Sequence, residues 1–408
     1  MLRGALTDAT VYRLAKYALQ IIVAGGCCWG IWNSLTLARA DYLFRKDTLQ
    51  DVRSAVRLAP DGWEYYTRLS QLEPADAQRL LTRSLQLNRY NAQADIELGL
   101  QFEADGELRR AEQELLSAYD VDHTYLPRWS LANFYIRHDN FPAFWQWARS
   151  AALMPSDDIG LLLELCWQVS PEPATLNSAL MSDNPEFLRQ YIRFLIGKEQ
   201  PDAVAGIAPR LIRTGDPESD RQELLGVVNQ LIVLKHASAA NNLWHVLIDH
   251  HWVTADPGVP NNSNFQRLPL PVSFDWSIPE YGGLHSWPGQ SGLETEFSGS
   301  EPEDCTIAEQ AVILAPGDYT MDYAYRTSDI PPATGIMWQI IDLNSNIVLM
   351  ESDDLSSDEM KNATMTFSVP PDASLLALRL RYKRTIGTPR ISGMLDVQSV
   401  QIKALSGK

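Results

Sequence analysis

A short phrase built around a serine recurs along the chain and limits what it can fold into more than any other feature. It reads Arg53-Ser54-Ala55, Arg83-Ser84-Leu85, Leu116-Ser117-Ala118 and Arg149-Ser150-Ala151, with the serines 30, 33 and 33 residues apart. A period near 33–34 residues, with apolar side chains at helical spacing inside it, fits two helices per unit. One such unit cannot bury its own apolar face, so neighbours must stack on one another. Turn signals at Leu58-Ala59-Pro60-Asp61-Gly62, Leu87-Asn88-Arg89-Tyr90-Asn91 and Leu153-Met154-Pro155-Ser156 fall where consecutive units join. The spacing therefore predicts an α-solenoid over residues 41–255.

Residues 92–125 resemble the tetratricopeptide repeat position by position. Leu98-Gly99 is followed by Phe102, Ala111, Leu115 and Ala118, the small and large residues that let the two helices of a unit approach closely. The preceding unit carries Trp63, Tyr66, Leu69, Leu80, Ser84 and Leu87; the following one carries Trp129, Ala132, Asn133, Ile136, Phe144, Ala148 and Ala151. Beyond residue 158 the helical period continues without that pattern. Helices are expected at 159–169, 185–197, 219–235 and 237–250, with Ser219 and Gln222 as a capping-box pair for the third.

Residues 17–37 carry no charge, enough at the helical rise to cross a bilayer. Arg3, Arg13 and Lys16 precede the run, a bias towards an N-terminus inside the cytoplasm. A cleaved secretory signal is the rival reading, because Ala38-Arg39-Ala40 has the small-x-small form of a cleavage site. Both readings export the remainder, which places the bulk of the chain in the periplasm, anchored at the inner membrane through residues 1–40 or released from it.

After Trp252 the composition changes. Residues 255–271 are rich in Pro and Asn and read as a linker. From there the period becomes two: Leu293, Thr295 and Phe297; Tyr319, Met321, Tyr323 and Tyr325; Ala363, Met365, Phe367 and Val369; Leu376, Leu378, Leu380 and Tyr382. Further strands are expected at 310–314, 336–341, 347–350 and 395–402. Eight or nine short strands predict an antiparallel β-sandwich of jelly-roll or immunoglobulin type over residues 256–408.

This segment resembles the galactose-binding-like and carbohydrate-binding jelly rolls of secreted bacterial proteins. The phrases that carry the resemblance are Asn264-Phe265 with Phe274-Asp275-Trp276, the run from Gln310 to Tyr319, and the run from Ile391 to Val400. Many relatives hold a structural calcium through an acidic residue after Asn-x-Phe and an Asp near the last strand. Gln266 and Gln398-Ser399 stand at those places, so the resemblance carries no calcium site over. Together with Pro127-Arg128-Trp129 and Asn133-Phe134-Tyr135 in the repeats, the arrangement is similar to uncharacterised bacterial envelope proteins associated with exopolysaccharide or O-antigen production. That resemblance implies a context for the whole chain.

The 408 residues hold 34 basic and 51 acidic side chains, a formal charge of −17 with no basic stripe in the sequence, which argues against nucleic acid as a partner. The motifs of nucleotide binding, serine hydrolysis and zinc proteolysis do not occur. Cys27, Cys28, Cys166 and Cys305 lack ligand spacing and read as small buried hydrophobes. Glu351, Asp353, Asp354, Asp358 and Glu359 crowd one loop and read as a solvated acidic segment rather than a glycosidase pair. No metal, cofactor or catalytic residue is assigned. Sugar sites use aromatic faces beside polar groups. The candidates are Trp276, Tyr281, Trp287, Trp338 and Arg381, with His285 beside Trp287 in the loop 281–290; each residue type more often serves a core or a turn. Phe134, Tyr135 and Trp145 are candidates for a protein-docking groove or for packing between repeats. The sequence thus reads as a non-enzymatic, membrane-anchored protein whose solenoid docks a protein and whose sandwich binds glycan or protein. The alternatives are a pure protein scaffold and an accessory polysaccharide-modifying enzyme.

Overall fold

The computed structural model describes residues 8–154, 158–180 and 182–405, so the turn at Pro155-Ser156 lies outside the described residues, as does Arg3. By contact density the chain divides into two compact units, residues 1–157 with 179–181 and residues 158–178 with 182–408.

The first unit is a run of antiparallel helical hairpins. Helix α1 (Asp8–Phe44) turns into α2 (Leu49–Leu58), and the pairs α3 (Trp63–Leu72) and α4 (Ala77–Leu87), α5 (Ala92–Ala104) and α6 (Leu108–Val121), and α7 (Tyr125–Arg137) and α8 (Phe141–Ala152) follow. The serine phrase lies in the second helix of each pair. Its alanines Ala55, Ala118 and Ala151 are fully buried, because only a small side chain fits where one helix crosses the next. In α4 the buried small residue is Ser84 rather than Leu85. Its hydroxyl lies 2.8 Å from that of Thr67 and donates to the Trp63 carbonyl. A methyl group on Gly99 would come within 2.9 Å of Leu115 Cγ and 3.2 Å of the Ala111 carbonyl, so α5 and α6 touch at the residues the pattern requires. Ala111→Trp should therefore overpack this crossing and cost roughly 1–3 kcal/mol. Thermal melting of the 41–408 ectodomain measures it, and an unmoved transition would rule the contact out.

The second unit begins with α9 (Gly160–Val169), most of α10 (Pro173–Leu180), α11 (Pro185–Gly197), α12 (Val204–Thr214), α13 (Pro217–Val233) and α14 (Ala237–Asp249). The expected capping box is corrected. Helix α13 starts two residues earlier, at Pro217, and Asp216 caps it by accepting from the Ser219 amide at 2.9 Å. A proline at the first helical position has no amide to satisfy and a preset φ, so it outcompetes a start at Ser219. The buried Asp220 on this helix takes two hydrogen bonds from Arg189, at 2.6 and 3.1 Å.

Among the described residues nine strands form two antiparallel sheets: β1 (Leu284–Pro288), β2 (Leu293–Ser298), β3 (Asp304–Ile313), β4 (Gly317–Ser328), β5 (Ile336–Asp342), β6 (Ile347–Glu351), β7 (Lys361–Val369), β8 (Leu375–Lys383) and β9 (Ser392–Ala404). One sheet has the order β1-β2-β9-β4-β7 and the other β3-β8-β5-β6. Their inner faces enclose a single core that includes Phe297, Met321, Tyr325, Trp338, Leu378, Leu380, Tyr382 and Val397. This is a jelly-roll-like sandwich, in which alternate residues of every strand point inward.

The segment read as a linker is packed onto the sandwich. Val259 pairs with Ile402 of β9, and the Asn261 amide and carbonyl close a ring with the Gln310 side chain at 2.7 and 2.9 Å. Phe265 is buried with its ring centroid 4.7 Å from that of Trp276. Asn and Pro here supply hydrogen-bonded turns rather than a solvated tether, a difference that composition does not reveal. The helices also reach the sandwich. Asn229 on α13 donates to the Pro271 carbonyl and accepts from the Ser273 amide, at 3.0 and 2.7 Å, and Trp244 on α14 meets Phe274 at 5.8 Å. Cys166 and Cys305 are buried, and burial pushes their thiols up to about 12 and about 11; Cys27 and Cys28, expected to be buried, are exposed on α1.

Candidate functional site

The outer face of the five-stranded sheet is built by strands whose alternate residues serve the core. On β1 and β2, Leu284, Leu293, Thr295 and Phe297 point inward, which sends His285, Trp287, Glu294 and Glu296 outward. Register then sets two rows across neighbouring strands. Trp287 lies opposite Glu294, Glu294 opposite Asp396 on β9, and Asp396 opposite Arg326 on β4. The second row runs His285, Glu296, Met394 and Ser328. Arg326 Nη2 donates to Asp396 at 2.6 Å, so that carboxylate is neutralised within the face.

Trp287 is half-buried, and the His285 ring lies along it with centroids 4.9 Å apart and planes 31° from parallel. A cavity of about 290 Å³ lies at the His285 side of this pair, lined by Glu280, Tyr281, His285 and Glu296 among others. A second, of about 540 Å³, lies on the other flank of β1, where Glu280, Ser286, Pro288 and the 269–273 segment face it. The tight turn ahead of β1 needs glycine. Gly283 has φ of +86°, and a methyl group there would come within 2.5 Å of the Ser300–Glu301 backbone. This closure brings Tyr281 beside the strand, where the Leu284 amide donates to its carbonyl.

The structure places Tyr281 with His285 on one cavity and Trp287 against His285, and it separates the other candidates from them. Trp276 and Trp338 are core residues at 1 % and 0 % exposure, their rings 6.1 Å apart between the sheets, so neither offers a face to a ligand. Both sit in alternating or aromatic-rich runs whose inward side cannot be read from spacing alone. Arg381 lies on β8, in the other sheet. Its hydrogen bonds with Asp304, one of them 2.7 Å long, hold that carboxyl below the usual carboxylate range. Phe134 and Tyr135 of α7 are buried between helices, and the Tyr135 hydroxyl donates to Glu112 at 2.6 Å. Burial and that carboxylate drive the phenol's ionisation upward. Trp145 is half-buried beside Phe144. The acidic loop is ordered rather than solvated at Asp354, which accepts from the Ala333, Gly335 and Ile336 amides at 2.8, 2.6 and 3.1 Å.

Sequence reasoning missed Glu280, Glu294, Glu296, Arg326 and Asp396, and it expected no strand at 284–288. The signal was present in β2, where Glu294 and Glu296 alternate with Leu293, Thr295 and Phe297 and so had to share the outward face. The opposite outer face, on the four-stranded sheet, is partly occupied. Ile232 and Val233 of α13 share a cavity of about 320 Å³ with Ala311 and Ala377, and the nearby Lys235 donates to the Asn344 carbonyl at 2.7 Å. In the first unit a cavity of about 800 Å³ lies over Leu69 and Leu80, edged by Arg53, Arg57, Arg79 and Glu73. Among the described residues no cluster of three or more His, Cys, Asp or Glu side chains could hold a metal ion.

No protein-family model matches the chain, and no curated protein matches it. The solved structures it is similar to fall into two groups. A CBM4 domain is 14 % identical with a TM-score of 0.29, covering 36 % of this chain and 99 % of that one. The CBM22-1 xylan-binding domain of Xyn10C from Paenibacillus barcinonensis is 10 % identical with a TM-score of 0.24, covering 36 % and 94 %. YrrB, a tetratricopeptide-repeat protein with an unusual peptide-binding site, is 10 % identical with a TM-score of 0.24, covering 50 % and 93 %.

Proposed function

We propose that this chain is a non-enzymatic, membrane-anchored envelope protein whose sandwich holds a glycan on the outer face of its five-stranded sheet while the solenoid docks a protein partner. The observation that carries it is the Trp287 platform, with His285 stacked beside it and Tyr281 lining the cavity at His285, on a sheet face whose opposite counterpart is partly taken by α13. An indole face covers the apolar C–H side of a pyranose while carboxylates accept from its hydroxyls. Glu294 stands opposite Trp287, Glu280 and Glu296 line the cavity at His285, and the one arginine of the row is already paired with Asp396. Such a rim repels uronate- or phosphate-rich polymers and favours neutral or amino sugars.

The anchor reading is supported by α1, one continuous helix in which an 18-residue stretch between Tyr12 and Phe44 has a mean hydropathy of 1.4 and is not buried in the protein. The rival cleavage site lies inside that helix, and its Ala40 is fully buried against Ala55 and Ala59. Cleavage after Ala40 would remove part of a packed hairpin. For the partner, the groove over Leu69 and Leu80, edged by Arg57 and by the Arg53–Glu73 and Arg79–Asp76 ion pairs, suits a peptide with apolar side chains. The setting in exopolysaccharide or O-antigen assembly or export, on the periplasmic side of a bacterial inner membrane, is carried by the resemblance drawn from the sequence.

Binding of the 41–408 ectodomain to an array of bacterial polysaccharides tests the glycan reading. Trp287→Ala should weaken binding to any neutral glycan found by about fivefold or more, near 1 kcal/mol, with the melting temperature almost unchanged. Absence of binding by the unmodified ectodomain, with a folded circular dichroism spectrum, would favour the pure scaffold.

A further inference from the structure

Within the first unit, α1 does two jobs in one unbroken helix. Its charge-free part ends at Leu37, and three residues later Ala40 is buried against Ala55 and Ala59. At the helical rise these are about 4.5 Å apart along the axis. The headgroup layer on each side of a bilayer is about 5–7 Å thick. Because α2 runs back antiparallel to α1, the end of α2 and the turn at residues 59–62 come down to the level of that layer. The same edge receives the next turn, at residues 88–91, since Asn91 Nδ2 donates to Thr67 and Ser84 at 2.9 and 3.0 Å and so ties it to the start of α3.

We infer that this edge of the solenoid rests on the surface of the bilayer from which α1 emerges, with Tyr90 and Arg89 seated among the lipid headgroups. The inference rests on the reading of α1 as a membrane anchor. Tyr90 is 71 % exposed, and the Arg89 guanidinium lies 5.7 Å from its ring centroid, an aromatic and a cation placed together as they are at membrane interfaces. On α1 itself, Tyr42 is 62 % exposed with the Lys46 ammonium 4.8 Å from its ring, a second such pair just beyond the apolar run. The opposite edge, with the turn at Asp105, stands about 20 Å farther out, the length of α5.

Lipid quenching of a single fluorophore on the full-length protein reads the placement directly. Cys27→Ser and Cys28→Ser leave only the buried Cys166 and Cys305, and labels are then attached at Ile21→Cys, Tyr90→Cys or Asp105→Cys. In vesicles of phosphatidylethanolamine and phosphatidylglycerol doped with a headgroup-region doxyl lipid, Tyr90→Cys should be quenched about twofold or more beyond Asp105→Cys. Ile21→Cys reports the anchor separately, through a doxyl group deep in the acyl chain. Deep quenching at Ile21→Cys with equal, weak quenching at the other two overturns the surface contact and leaves the anchor standing. No quenching at Ile21→Cys overturns the anchor and this inference with it.

Discussion

Truncating Trp276 to alanine should destabilise the sandwich by about 3–5 kcal/mol, the cost of a cavity where a large aromatic is lost from a core. Trp276 is 1 % exposed, packs on Phe265 at 4.7 Å and Trp338 at 6.1 Å, and donates its indole N–H to the Asn262 carbonyl at 3.0 Å. Its removal therefore unties the 259–265 segment from the sheets as well as emptying the core. Urea unfolding of the 41–408 ectodomain measures the effect as a lower midpoint. A change below about 1 kcal/mol would mean that Trp276 is not a core residue. The contrast with Trp287 is the informative part, since both are tryptophans of the same region: one substitution should move stability, the other affinity.

That contrast also marks where the sequence stops being legible. The repeats could be read because close helix crossing admits only small side chains, and Gly99, Ala111, Ala118 and Ala151 announce it at fixed intervals. Strands β2, β4, β7 and β8 could be read because one buried face imposes a period of two. The helices α10 and α12 went unread: α10 has only eight residues, and α12 carries Pro209 in its interior. Strand β1 was hidden by Trp287 and His285, outward residues of a kind that alternation assigns to neither face. The candidate site depended on the same ambiguity. Spacing tells which residues share a face, but which face meets the core is decided by packing, and for Trp276 and Trp338 it chose the inside.

A buried carboxylate in the solenoid gives the clearest pH dependence. Asp95 on α5 is 5 % exposed, and burial, reinforced by the charge of Glu114 on α6, pushes its ionisation up to about 7. Burial raises the Glu114 carboxyl as well. In the unfolded chain Asp95 loses its proton near 3.9, so between about pH 4 and 7 the folded state holds a proton that the unfolded state has released. Stability therefore falls as pH rises through that window, and the cost is complete above about 7. Asp95→Asn keeps the shape and removes the charge. It should stabilise the first unit by about 2–4 kcal/mol at pH 8 and change nothing near pH 4. Calorimetry of both proteins across that range checks the sign as well as the size. Equal stabilisation at both ends would show a packing effect, whereas a loss at pH 8 would mean that the Asp95 carboxylate is held by a cation.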